Sequence, residues 1–158
     1  MHLLFVCTGN ICRSPLAEAI AKRILRERGV TDVTVSSAGT AAYDGAPASE
    51  GSYLIALEHG LDLSAHQARE LTADLVAQAD LVLVMSRGHQ RRAEALGGQG
   101  KTELLGEFAG ISGEQAEVPD PFGGDLDEYR STFDRLQELL TEAMDRLIAE
   151  RGKKKDGD

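Results

Sequence analysis

Cys7 and Arg13 bracket a short loop, Cys7-Thr8-Gly9-Asn10-Ile11-Cys12-Arg13, and Ser14-Pro15 follows at once. A loop that runs into a helix N-terminus aims backbone N–H groups at one point, and the helix dipole adds partial positive charge there. A phosphate dianion fits such a cradle. Gly9 removes a side chain that could block it, and Asn10 tolerates left-handed backbone angles. Arg13 can grip two phosphate oxygens with a charge-assisted fork. A cysteine in the same cradle is placed for in-line attack on phosphorus as a thiolate. A Cys at a strand end is also a common buried apolar residue, and Cys-x5-Arg alone is a weak pattern. The strand before, the Gly within and the Ser-Pro after it favour chemistry over packing.

Cleaving a phosphate ester by this route needs an acid for the leaving oxygen and a base for the incoming water. One carboxyl group can serve as both. The candidate is Asp120 in Val118-Pro119-Asp120-Pro121-Phe122-Gly123-Gly124, where a proline on each side stiffens the backbone. The competing reading is that Asp-Pro only starts a turn, and from these residues alone the two readings weigh equally.

These residues need a scaffold. Leu3–Val6 is an apolar run that reads as a strand ending at Cys7. Ser14 as N-cap and Pro15 as first helical residue open a helix with Leu16, Ala19, Ile20 and Ile24 on one face, stopping at Gly29. Val33–Ser37 is a second strand, and 38–47 is loop holding Tyr43. Helices are predicted over Ala48–Glu58, from the Thr72 cap to Gln78, over Gly88–Leu96, and over Tyr129–Ile148. Asp80–Met85 reads as the best buried strand and Thr102–Leu105 as a fourth, with 107–121 mostly loop. Alternating strands and helices predict an α/β fold, a parallel sheet covered on both faces, in one domain over 1–151. In such a sheet the ligand sits at the carboxyl ends of the strands, where Cys7–Arg13 lies. Residues 152–158 are expected to be a disordered tail.

The formal net charge of −9 at pH 7 opposes a phosphate backbone, so nucleic acid is excluded as a partner and any pull on a phosphate must be local. No apolar run is long enough to cross a bilayer, and Met1–Val6 lacks the features of a signal peptide. A cytoplasmic location without membrane association is the expectation. Two cysteines make neither a disulfide framework nor, with no His cluster beside them, a metal site.

The run Val6-Cys7-Thr8-Gly9-Asn10-Ile11-Cys12-Arg13-Ser14-Pro15-Leu16-Ala17-Glu18 resembles the phosphate-binding loop of the low-molecular-weight protein tyrosine phosphatases. The likeness continues through Ser37-Ala38-Gly39-Thr40, Asp80–Met85 and Asp120-Pro121-Phe122, in family order and at family distances. It implies a doubly wound, four-stranded parallel sheet, no metal or organic cofactor, phosphorylated proteins as partners, and a monomer. It also implies Cys7 as nucleophile, Arg13 as phosphate clamp and Asp120 as general acid and base. The resemblance places Thr8, Gly9, Asn10, Ile11, Cys12 and Ser14 in the phosphate cradle, with Ser14 matching the serine that supports the thiolate and Asn10 the asparagine that holds the loop's shape. His66 matches a histidine that props that asparagine, and Cys12 a second cysteine that traps an oxidised nucleophile as a disulfide.

Ile11, Tyr43 and Phe122 match the apolar walls that take a phenyl ring, which implies phosphotyrosine as substrate. Phe122-Gly123-Gly124 is also similar to bacterial protein-arginine phosphatases of the same superfamily. Those enzymes carry Thr where this chain has Ile11, so phosphotyrosine is the first expectation and phosphoarginine the second. A thiol-dependent arsenate reductase would need cysteines outside the loop, and the chain has none. A non-catalytic phosphate-binding domain would need no nucleophile.

Overall fold

Every residue of Leu3–Cys7 is buried, so this strand needs apolar cover on both faces. A computed structural model describes residues 1–156, and Gly157 and Asp158 of the expected tail lie outside it. Four parallel strands, β1 (His2–Cys7), β2 (Thr34–Gly39), β3 (Leu81–Val84) and β4 (Thr102–Leu104), stand in the order β2-β1-β3-β4. Leu3 and Phe5 face one core, with Leu16, Ile20, Phe133, Leu136 and Leu140. Leu4 and Val6 face the other, with Val76, Val82, Val84 and Leu104. The helices are α1 (Arg13–Glu27), α2 (Glu50–Glu58), α3 (Ala73–Gln78), α4 (Arg87–Ala93), the single turn α5 (Leu105–Phe108) and α6 (Leu126–Asp156).

The chain leaves β1 for β2 on one side and reaches β3 on the other. The strand order therefore reverses at β1, and a crevice opens at its carboxyl end. Register places Cys7 beside Gly39 and Val6 beside Val84. Gly39 is not free to be larger. A Cβ there would meet the carbonyl oxygen of Thr8 and, at 2.8 Å, the nitrogen of Asn10.

Several boundaries differ from the sequence reading. Ser14 does not cap α1: the cap position is Cys12, with no side-chain cap. The Ser14 hydroxyl is fully buried and committed to the loop instead. Thr72 does cap α3, accepting from Leu75 N at 3.2 Å. α4 is shorter than expected, because its last turn widens into a π-turn at Glu94–Gly98 around Gly97, whose φ is +105°. The segment 107–121 is not all loop, since a 3₁₀ turn occupies Gly113–Ala116. α6 begins at Leu126 rather than Tyr129, because Asp125 accepts from Glu128 N at 3.0 Å. It continues to Asp156, so 152–156 are helix and not the disordered tail expected.

Candidate active site

The loop after β1 is shaped by its own buried polar side chains. Asn10 has φ +55°, in the left-handed region, and no exposed surface. Its Oδ1 accepts from Arg69 N at 3.0 Å, and its Nδ2 donates to Ser14 Oγ at 2.8 Å and Ser37 Oγ at 2.9 Å. His66 Nε2 donates to the Asn10 carbonyl at 2.7 Å. Ser37 Oγ in turn donates to Glu18 Oε1 at 2.7 Å. Because Ser14 Oγ accepts from Asn10, its own proton is free for Cys7 Sγ, 2.9 Å away. A sulfur anion at Cys7 would receive that proton as a hydrogen bond.

Arg13 is 5 % exposed and is fixed from the far side. Nη1 donates to Val118 O at 2.9 Å, and Nη2 lies 3.4 Å from Thr8 Oγ1 and 3.6 Å from Asp120 Oδ2. Nε is buried without a partner, alone in this among the described residues. An unpaired buried N–H is costly, and beside a helix N-terminus it suits an anion. A cavity of about 300 Å³ opens here, lined by Cys7, Thr8, Gly9, Ile11, Cys12, Arg13, Ala41, Tyr43, Ala46, Asp120 and Phe122. The loop, the acid and the apolar walls expected from sequence thus share one hollow. Ser14, Asn10 and His66 stand behind it as supports, off the cavity wall.

Asp120 is both a turn residue and a cavity residue. Its Oδ1 accepts from Phe122 N at 3.0 Å, while Gly124 N donates to Pro121 O at 2.8 Å. Gly123 takes φ +82° in that turn, a conformation that favours glycine. Phe122, in that turn, is 66 % exposed and Tyr43 is 85 % exposed, so two uncovered rings line the cavity. Ile11 lines the same cavity, with its Cγ1 3.5 Å from where a Cβ on Gly9 would stand.

Three partners were not legible as site residues. Cys12 Sγ lies 3.3 Å from Ser49 Oγ and 3.6 Å from Tyr129 Oη. Burial pushes the Cys12 thiol up, and burial together with Cys12 pushes Tyr129 up to about 12, so both keep their protons at neutral pH. The third is His89, 2.8 Å from Thr8 Oγ1. Burial, with the Arg13 cation beside it, pushes His89 down to about 4, against a smaller upward pull from Asp120. The signal for His89 was its place just after a strand next to β1, where a doubly wound sheet gathers its ligand residues.

That depression has a consequence for stability. An unfolded His89 titrates near 6.5 and the folded one near 4, so between those values the unfolded chain binds more protons. Stability is therefore expected to fall as pH drops through that window, by up to roughly 3 kcal/mol from this residue. Urea unfolding of wild type and His89→Asn at neutral pH and at the acid end of the window checks it. Equal acid sensitivity in the two proteins would refute the assignment to His89.

Comparison with known proteins adds a lineage to this geometry. Residues 2–154 match the family described as low molecular weight phosphotyrosine protein phosphatase. A protein-arginine-phosphatase of Bacillus subtilis (strain 168) is 36% identical over 151 residues, covering 96% of this chain and 99% of the relative. The low molecular weight protein-tyrosine-phosphatase PtpB of Staphylococcus haemolyticus is 39% identical over 141 residues, covering 89% and 95%. Among solved structures, a mutant of the YwlE arginine phosphatase with a phosphorylated active-site serine superimposes with a TM-score of 0.89. It is 38% identical, with 96% of this chain and 98% of that one covered. With the match running from β1 into α6 and taking in the loop, the acid segment and both cores, this chain belongs to the low molecular weight phosphotyrosine protein phosphatase family.

Proposed function

We propose that this protein removes phosphate from phosphotyrosine in protein substrates by two in-line displacements at Cys7. The observation that carries the reading is the Arg13 guanidinium, anchored through Nη1 and left with a buried, unpaired Nε beside the Cys7–Arg13 loop. In the first step the Cys7 thiolate attacks phosphorus, the ester P–O bond breaks, and the Asp120 carboxyl gives its proton to the leaving phenoxide. In the second, water attacks the phosphocysteine, Asp120 takes the water's proton, and the P–S bond breaks to release phosphate and the thiolate. Arg13 and the loop N–H groups neutralise the phosphoryl oxygens throughout. Cys12, a buried thiol on the same loop, is the partner proposed for an oxidised Cys7.

Phosphoarginine is the second reading, and a specific observation favours it. Relatives named arginine phosphatases match nearly the whole chain, and this chain shares the Phe122-Gly123-Gly124 turn expected of them. Against it stands Ile11. A phosphorylated guanidinium against that wall would leave N–H donors unpaired, at about 1–3 kcal/mol each. Phosphotyrosine lays only ring carbon there, and Tyr43 and Phe122 give that ring stacking partners.

The test is kinetics on matched phosphotyrosine and phosphoarginine peptides. Wild type should show the higher kcat/KM on phosphotyrosine. Ile11→Thr supplies a hydroxyl and frees volume, and should move the ratio toward phosphoarginine by roughly tenfold. A wild type that already prefers phosphoarginine would make the second reading the correct one.

A further inference from the structure

Thr8 is approached by two side chains from different elements. Arg13 Nη2 lies 3.4 Å from its Oγ1, and His89 Nε2 lies 2.8 Å from the same atom. The other ring nitrogen of His89, Nδ1, is 3.0 Å from Ser86 Oγ. Ser86 also caps α4, accepting from His89 N at 3.4 Å. His89 is 5 % exposed, and both of its ring nitrogens have these protein partners. The chain Ser86–His89–Thr8–Arg13 links the carboxyl end of β3 to the loop that follows β1.

We propose that His89 is a positioning residue for the phosphate grip: its Nε2 accepts the Thr8 hydroxyl proton, and the oxygen so oriented holds Arg13 in the plane that turns Nε toward the phosphate. The proposal rests on the reading of Arg13 as phosphate clamp.

The directions of the hydrogen bonds follow from what each group can do. A guanidinium only donates, so Thr8 Oγ1 accepts from Arg13 and keeps its own proton to give. In the proposed arrangement Nε2 is bare and accepts that proton, and the ring proton sits on Nδ1, facing Ser86 Oγ, whose second lone pair accepts it beside the bond from His89 N. The ring has to be neutral. A charged imidazole would donate at both nitrogens, displace the Thr8 proton, and place a second cation beside Arg13. The charged groups that face the ring are Arg13 and Asp120, and burial with Arg13 keeps it neutral against the weaker pull of Asp120.

The geometry explains why one anchor is not enough. A bond from Nη1 to Val118 O would by itself leave the guanidinium plane underdetermined, and Nη2 is met by Thr8 Oγ1 at 3.4 Å and by Asp120 Oδ2 at 3.6 Å. A second pin at Nη2 fixes the plane, and a fork that grips two oxygens works only in the right plane.

The test is a double-mutant cycle read on inorganic phosphate as competitive inhibitor of p-nitrophenyl phosphate hydrolysis. His89→Ala should raise the inhibition constant about tenfold, and His89→Gln, whose amide oxygen can accept the same proton, should recover most of the loss. In a Thr8→Val background, His89→Ala should add less than about twofold, because the path through the hydroxyl is already gone. Additive losses, or wild-type inhibition in His89→Ala, would overturn the proposal. Should the Ala variant not fold, nitrogen NMR of the wild-type ring decides: a proton on Nδ1 and none on Nε2 near neutral pH supports it, and a proton on Nε2 overturns it. Failure of phosphate to inhibit wild type at all would instead overturn the reading of Arg13 on which this one rests.

Discussion

Cys7→Ser is expected to lower turnover by roughly 10⁴-fold or more while phosphate still binds as a competitive inhibitor. The two halves of that result come from different atoms. In the proposed mechanism phosphate is held by Arg13, itself anchored on Val118 O, and by the loop's N–H groups, which the substitution leaves in place. The attack needs an anionic sulfur, and an alcohol is not ionised at neutral pH. Ser14 Oγ, 2.9 Å from Cys7 Sγ, is placed to stabilise sulfur as an anion and does nothing comparable for an un-ionised hydroxyl. If attack by the serine oxygen does occur, it should stall. A serine alkoxide is a poorer leaving group than a thiolate, so the second displacement would fail first. The phosphorylated active-site serine in the related YwlE arginine phosphatase mutant is the behaviour expected of such a stalled species. Stopped-time mass spectrometry on both proteins checks the point. Wild type should carry a transient phosphoryl group on the Cys7 peptide, and turnover of the Ser variant near the wild-type rate would end the mechanism.

Asp120→Asn is expected to cost roughly 10²–10⁴ in kcat on phenyl phosphates whose leaving groups are poor. The loss should shrink as the leaving group becomes more acidic, as long as cleavage of the ester bond limits the rate. An amide cannot supply the proton that a poor leaving oxygen needs. Asp120 also shapes its own turn, and the structure lets the two jobs be told apart: the carboxylate Oδ1 accepts from Phe122 N at 3.0 Å, and an asparagine side chain can accept the same bond. The turn should therefore survive, and the leaving-group dependence should report on proton transfer alone. A small loss that is equal across all leaving groups would reduce Asp120 to a turn residue.

The strands around the site and the loop between Cys7 and Arg13 were legible because they rest on local patterns: apolar runs, a glycine, a proline at a helix start. Asn10 was legible for the same reason, since a left-handed backbone favours few residue types. Ser14 is not the helix cap that its position suggests. Capping preferences describe a side chain that has only its own helix to bond, and Ser14 has a buried thiol and a buried amide competing for it. His89, Ser49 and Tyr129 were missed for another reason. Each meets the loop only because separate elements are folded onto it, and no spacing in the chain encodes a contact between residues 12 and 129. The anchor of Arg13 is invisible in principle to a reading of side chains, because it is the backbone carbonyl of Val118. Asp120 differs again. The two competing readings, turn and acid, do not exclude each other, since Asp120 accepts the turn's hydrogen bond and also lines the cavity.

Gly39 has a consequence for anyone who would retune this enzyme by randomising its loop. The backbone of Thr8 and Asn10 passes so close to that glycine that no side chain fits between them. The loop's contour is thus written partly on another strand, outside any library that varies only positions 8–12. Within such a library the positions are not equivalent. Asn10 spends its three polar bonds and its unusual φ on the fold, whereas Ile11 presents a side chain to the open cavity. Evolvability in this pocket is accordingly narrow and well marked: on the proposed reading, substrate preference would drift at Ile11, Tyr43 and Phe122, which line the cavity, while the loop's contour stays frozen by neighbours that lie off the cavity wall.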